Sequence, residues 1–310
     1  YELNKGLNTN LTDKQMLKAI TVPDGNFSRI TNIAFIDEYV KTNPEKAMFK
    51  NKMYRRNDSL VLTVDDKYNE TKLFTLKLNS DQCRYKIIKY PQFKPANYNE
   101  QFARSNSSIV DNTLYHLAAT SDNFQFTALN LTSSDTLANY LVFPQQEITF
   151  KNTDIVQEGT SMSRRATKIL KTDQFISKIS GGNSIISGIK NRSGVHEITF
   201  GAYKMTENYT YTPMVMGGGF IGGAIAGGLA AALGYNKSWS MVSRFKSLFD
   251  PTTGKHIPGE ITESGSDLID DYVKDVKMPS QGSDTFYSDG NTYYTYYDND
   301  LKSLITIQLK

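Results

Sequence analysis

Cysteine is almost missing from this chain. Cys83 is the sole one in 310 residues, so no internal disulfide can form and a disulfide scaffold or a Cys-rich metal site is excluded. It sits in Gln82-Cys83-Arg84-Tyr85, a strand-like context that suits a small buried side chain. Histidine occurs three times, at His116, His196 and His256, too scattered for a metal helix of the HExxH kind. There is no Cys-x-x-Cys pair, phosphate loop or Gly-x-Ser-x-Gly elbow. The expectation is therefore no catalytic residue, no cofactor and no metal.

Strong charge of either sign is lacking too. Lys and Arg number 35 against 32 Asp and Glu, a formal charge of +3. A phosphate-binding surface needs a concentrated basic face, so nucleic acid is not an expected partner. One basic cluster, Arg164, Arg165, Lys168 and Lys171, reads as the solvated side of a helix. Acidic pairs at Asp65-Asp66, Asp270-Asp271 and Asp298-Asn299-Asp300 are candidates for a glycosidase pair or a calcium loop, but two of them fall where hairpin turns are expected. Large secreted animal proteins usually carry several disulfides and bacterial envelope proteins often none, which points to a bacterial extracytoplasmic protein. Tyr1-Glu2-Leu3-Asn4 has no initiator methionine and reads as a processed N-terminus.

What the chain has in abundance is β signal. Tyr and Phe number 19 and 16 and fall in alternating runs broken by Asn, Asp and Gly. Three segments look alike: 57–78, 112–131 and 291–309. Each is a period-2 run, a polar turn and a second period-2 run. Leu60 and Leu114 are equivalent positions in the first two. The predicted fold is mainly β, a propeller-like repeat of hairpins, with a β-sandwich as the alternative. At about 40–50 residues per blade the length would make five or six blades.

A few short helices are expected beside it: Thr12 to Ile20, Ser163 to Ile179 and Ser266 to Val276. His196 to Phe200 reads as a strand and Asp250 to Gly254 as a turn. Trp239, Val242, Phe245 and Phe249 fit either an apolar helix stripe or a strand entering that turn. The organisation predicted is a hairpin region over 1–160, a connector over 161–207, a docking segment over 208–249 and a β region over 250–310.

From Asn208 to Asn236 there is no charged side chain. Within that stretch, Met214 to Tyr235 is composed of Gly, Ala and large apolar residues. As a helix its 22 residues would extend about 33 Å, enough to cross a bilayer core. Gly219, Gly223, Gly227 and Ala231 recur every fourth position, with Gly218, Gly222, Ala226 and Ala230 beside them. Small residues at that spacing let a second backbone approach closely. Eight glycines make such a helix poor in water, at about 1 kcal/mol each against Ala, so an apolar partner must stabilise it. Tyr209, Tyr211, Tyr235 and Trp239 flank it as an interfacial belt would. The residues expected to dock are Met214, Gly218, Gly219, Phe220, Gly222, Gly223, Gly227, Leu229, Ala231, Leu233, Tyr235 and Trp239. A single-pass crossing ranks below docking or partial insertion, because a hairpin of the same repeat follows the segment.

This segment resembles the glycine-zipper stretches of bacterial outer-membrane-associated proteins. The chain's style, with runs such as Asn112-Thr-Leu-Tyr115, also resembles secreted or envelope proteins of Bacteroidota. Asp58-Ser59-Leu60 and Asp135-Thr136-Leu137 match that phylum's O-glycosylation pattern, making Ser59 and Thr136 candidate acceptors. Sequons occur at Asn10, Asn26, Asn57, Asn69, Asn106, Asn130, Asn191, Asn208 and Asn236. These resemblances imply a non-catalytic scaffold or accessory subunit of a cell-envelope complex, in the periplasm or at the cell surface. Its partner would be an outer-membrane protein, a membrane complex or lipid. The alternative is a β-propeller that binds or hydrolyses carbohydrate, so a glycan is a further candidate partner.

Overall fold

The computed structural model describes residues 21–24, 27–30, 33–80, 82–91, 104–159, 168–191, 193–207, 238–261, 283–288, 291–298 and 301–309. These form a mainly β protein of antiparallel sheets, with two helices among the described residues. The expected helices at Thr12–Ile20 and Ser266–Val276 and the segment Met214–Tyr235 lie outside them.

A short hairpin pairs β1 (Thr21–Asp24) with β2 (Phe27–Ile30). The first large sheet follows: β3 (Ile33–Ile36), β4 (Asn51–Arg56), β5 (Ser59–Lys67), β6 (Glu70–Lys77) and β7 (Cys83–Lys89), neighbours in that order. β3 runs parallel to β4 and the rest alternate. The link between β3 and β4 carries α1 (Pro44–Ala47), started by the Asn43 side chain, which accepts from the Glu45 N–H at 2.8 Å, and by Pro44. The central sheet is a four-stranded meander of β8 (Arg104–Val110), β9 (Thr113–Ala119), β10 (Phe124–Asn130) and β11 (Thr136–Val142).

A third sheet draws strands from both sides of residues 160 and 207. It contains β12 (Val156–Gly159), β13 (Lys168–Ile169), β14 (Asn183–Lys190), β15 (His196–Glu207) and β16 (Ser238–Phe249), in the order β13-β12-β16-β15-β14. Between β13 and β14 lies α2 (Thr172–Gly181). A last sheet holds β17 (Ser283–Ser288), β18 (Asn291–Asp298) and β19 (Ser303–Leu309).

The three look-alike segments are hairpins β5–β6, β9–β10 and β18–β19. Leu60 and Leu114 each occupy the second position of the second strand in a meander. Alternation then sorts the side chains. Val110, Tyr115, Leu117, Phe124, Phe126 and Ala128 point from the central sheet toward Ile186, Ile198, Phe200, Phe245 and Phe249 of the third. Ile109, Leu114 and Leu129 point the other way, onto Tyr54, Val61, Leu73, Ile88 and Tyr90 of the first. The central sheet is thus buried on both faces, which is why β8, β9 and β10 show almost no exposed residue.

Two expectations are corrected and one open choice is decided. Of the helix placed over Ser163 to Ile179, residues 163–167 lie outside the described residues; α2 begins at Thr172, because Lys168 and Ile169 are spent on pairing with β12. Ile169 is 64% exposed, while Phe175, Ile176 and Ile179 supply the buried face. Of the two readings of Trp239 to Phe249, the strand is the one observed, β16, and period 2 sends Phe245 and Phe249 into the core. Finally, β5 runs through Asp65 and Asp66 to Lys67, so that acidic pair lies in a strand. The turn is Tyr68-Asn69.

Candidate functional site

Strands β15 and β16 pair along their full 12 residues each, from His196↔Phe249 to Glu207↔Ser238. β14 pairs with β15 as far as Tyr203, and β12 with β16 as far as Met241. The last four pairs, from Lys204↔Met241 to Glu207↔Ser238, therefore extend past β14. The chain between Glu207 and Ser238 is the uncharged stretch 208–236, with its eight glycines, followed by Lys237. It leaves and re-enters at one point, the end of this two-stranded ribbon. Trp239 lies on that ribbon. Met214, Gly218, Gly219, Phe220, Gly222, Gly223, Gly227, Leu229, Ala231, Leu233 and Tyr235 lie outside the described residues.

Paired residues sit about 4.5–5.5 Å apart. A bilayer core is about 30 Å thick. Glu207 and Ser238 therefore cannot stand on opposite sides of a membrane while β15 and β16 remain paired. Among the described residues no helix is long and apolar enough to cross a membrane.

The ionisable groups between the sheets are tied into internal networks. At one end, His196 stands between Tyr115 and Asp111, its Nδ1 2.7 Å from the tyrosine oxygen and its Nε2 3.0 Å from the carboxylate. Lys190 joins Asp111 at 2.9 Å. Burial pulls the Asp111 carboxyl up, but the contacts from His196 and Lys190 outweigh it and leave it below its ordinary range. Burial likewise holds His196 below its ordinary value despite that carboxylate. The Asp111 N–H donates to Glu38 at 2.6 Å, and Glu38 also takes Arg56 at 2.8 Å. Burial raises the Glu38 carboxyl, and the arginine opposes the shift.

Deeper between the first and central sheets, Tyr90 lies flat on His116. Thr71 bridges Tyr90 and Asp65. Where β4, β8 and β14 meet, the Lys52 amine reaches Asn106 Oδ1 at 2.8 Å and the carbonyls of Ser107 and Ile186 at 2.6 and 2.9 Å. Asn106 in turn donates to the carbonyls of Ala47 and Ser184. A glycan cannot occupy this sequon in the folded protein, since Asn106 is fully buried. The two candidate O-glycosylation residues begin strands. Thr136 is exposed on β11, and half-buried Ser59 donates to Asp58 at 2.9 Å.

An open groove of about 1080 Å³ runs where the first and central sheets part. Arg56, Arg84 and Lys86 line it with Asp58, Tyr85 and Leu131. Asp58 is the single carboxylate in that lining, so the groove does not hold the acid pair of a glycoside hydrolase. Among the described residues no group of three His, Cys, Asp or Glu could hold a metal ion. Of the other acidic candidates, Asp66 pairs with Lys72 and Asp298 accepts from the Leu301 N–H in a turn.

The sequence reading passed over Lys52 and Asp111, and took Asp65 and Asn106 only as part of an acidic pair and as a sequon. One signal was available for Asp65: in Val61-x-Thr63-x-Asp65 the inward period continues through it. No family model, no curated protein and no solved structure matches the chain.

Proposed function

We propose that this protein is a non-catalytic scaffold or accessory subunit of a bacterial outer-membrane-associated complex, docking through the Gly/Ala-rich segment Met214–Tyr235. The observation that carries the reading is the pairing of Glu207 with Ser238. It places both ends of a glycine-rich insertion side by side on a ribbon that outruns β14. An apolar insertion that begins and ends at one point of the fold is suited to meet a membrane or a membrane protein. Glu38, Arg56, Asp111, Lys190 and His196 are tied into one network, a pattern that suits a rigid framework.

The test is detergent partitioning and liposome flotation of the intact chain against a form lacking Met214–Tyr235. Docking requires that the intact chain associate and that the shortened one stay folded and soluble. An intact chain that never associates, with a shortened one that unfolds, would sink the reading and make the segment part of the core.

Carbohydrate binding is a second reading, favoured by one face of the last sheet. Phe286 stacks on its cross-strand partner Tyr293 with ring centroids 5.2 Å apart, and Tyr297 follows on the same face of β18. Phe286 and Tyr297 are each 42% exposed. Flat exposed rings suit the apolar face of a sugar. Phe286→Ala and Tyr297→Ala should then weaken retention on a polysaccharide gel; unchanged migration with and without the polysaccharide dismisses this reading.

A further inference from the structure

We propose that Lys52 and Asn106 join in an intramolecular isopeptide bond that the folded protein forms by itself, releasing ammonia. The inference does not depend on the docking reading.

The geometry is that of an amine set against a carboxamide. The Lys52 Nζ lies 2.8 Å from the Asn106 Oδ1, so the carboxamide carbon is one bond further on. Two backbone carbonyls, of Ser107 and Ile186, accept hydrogens from the amine, and its remaining direction faces the carboxamide. The Asn106 Nδ2 gives its two hydrogens to the carbonyls of Ala47 and Ser184, at 3.0 and 2.7 Å. Those two acceptors decide which end of the carboxamide meets the lysine. Contact of this kind, held by the fold, converts an encounter between two groups into a step within one molecule.

The setting removes the competing reactions. Lys52 is 1% exposed and Asn106 is fully buried, which shuts out bulk water. Burial lowers the amine to about 7, so the uncharged nucleophilic form is populated at neutral pH, although the charge of Asp65 opposes the shift.

A carboxyl group stands on the same face of the sheet. Lys52 pairs with Thr63, and Asp65 follows two positions along β5. Burial pushes the Asp65 carboxyl up. Its Oδ1 is held by Thr71, while Oδ2 is sealed from solvent and makes no hydrogen bond of ordinary geometry. The step balances without an outside reagent. The Lys52 Nζ bonds to the Asn106 carboxamide carbon, the bond from that carbon to Nδ2 breaks, and one amine hydrogen passes through the Asp65 carboxyl to the departing nitrogen. Asp65 ends as it began. The link ties the first sheet to the central one across 54 residues of sequence, in a chain with no disulfide to do so.

The test is the intact mass of the purified chain, measured after denaturation, followed by proteolytic mapping. The expected mass is below the sequence mass by one ammonia, with a branched peptide containing both residues 52 and 106. Asp65→Asn is expected to keep the full sequence mass, and Lys52→Met to yield no branched peptide. A wild-type chain that stays at its full sequence mass through prolonged incubation overturns the proposal. So does a mass loss without the branched peptide, which marks a succinimide. A branched peptide that persists in Asp65→Asn removes Asp65 as the proton carrier. These readouts require no folded variant, since the wild-type mass alone decides.

Discussion

The imidazole of His116 lies on the phenol ring of Tyr90 with centroids 3.5 Å apart and planes 9° from parallel. Each ring comes from a different sheet, so the stack is a joint between the first sheet and the central one. His116 is fully buried, and that burial pushes its pKa down from 6.5 to about 3. The native protein holds this histidine neutral.

That joint makes stability depend on pH. The folded pKa is below the unfolded one, so the unfolded chain binds the proton more readily between them. Stability contributed by the neutral ring is complete above about 6.5. It falls by about 1.4 kcal/mol per pH unit below that and levels off near about 3. Urea titrations between pH 7 and 4 should show this slope, and His116→Phe should flatten it. An unchanged slope in the variant would assign the acid sensitivity to other groups.

The Tyr115–His196–Asp111 chain separates a buried contact from an exposed one. Asp111→Ala leaves the buried His196 without its carboxylate and should cost about 1–3 kcal/mol in chemical denaturation. Lys190→Ala removes an ion pair that is 39% and 38% exposed, and should cost less than about 1 kcal/mol. Equal losses would contradict this assignment.

Two glycines are tight for different reasons. A Cβ at Gly201 would meet the Ser243 backbone oxygen at 2.4 Å, where β15 and β16 must separate to admit it. A Cβ at Gly188 would meet the ends of the Val110 and Ile198 side chains, which can turn aside. Gly201→Ala should therefore be the more damaging, by about 1–3 kcal/mol in melting or urea experiments. A larger loss at Gly188 would reverse the argument.

Core size sets the next expectation. Phe126 touches Tyr115, Tyr140, Phe150, Phe200 and Phe249 between the central and third sheets. Phe126→Ala should cost about 3–5 kcal/mol. Phe286→Ala, on an exposed face, should cost within about 0.5 kcal/mol.

A disulfide across the ribbon tip tests how the insertion is carried. Glu207→Cys with Ser238→Cys places two thiols on cross-strand partners. The oxidised form should float with liposomes as well as the reduced one. If locking the two ends together abolished flotation, the ends would have to part on docking.

Much of the β framework was legible because it is written in local alternation. The runs from Thr113 to Ala119 and Phe124 to Asn130 pair in the register their apolar residues imply. The helix over Ser163 to Ile179 is drawn too long because Ile169 and Leu170 extend the apolar spacing of Ile176 and Ile179, which do lie on α2. Pairing of Val156 with Ile169 claimed the first of them for a strand. The polar clusters were not legible at all. His196 and Asp111 stand 85 residues apart and meet only because two sheets pack together.

The residue order alone determined the hairpins, the scarcity of cysteine and histidine and the uncharged stretch, since each depends on composition or on neighbours a few positions away. Packing decided that Lys52 faces Asn106, that Asp65 is enclosed and that Glu207 meets Ser238. A buried amine or carboxyl needs partners that its own strand does not provide, and only the stacking of one sheet on another brings them within reach.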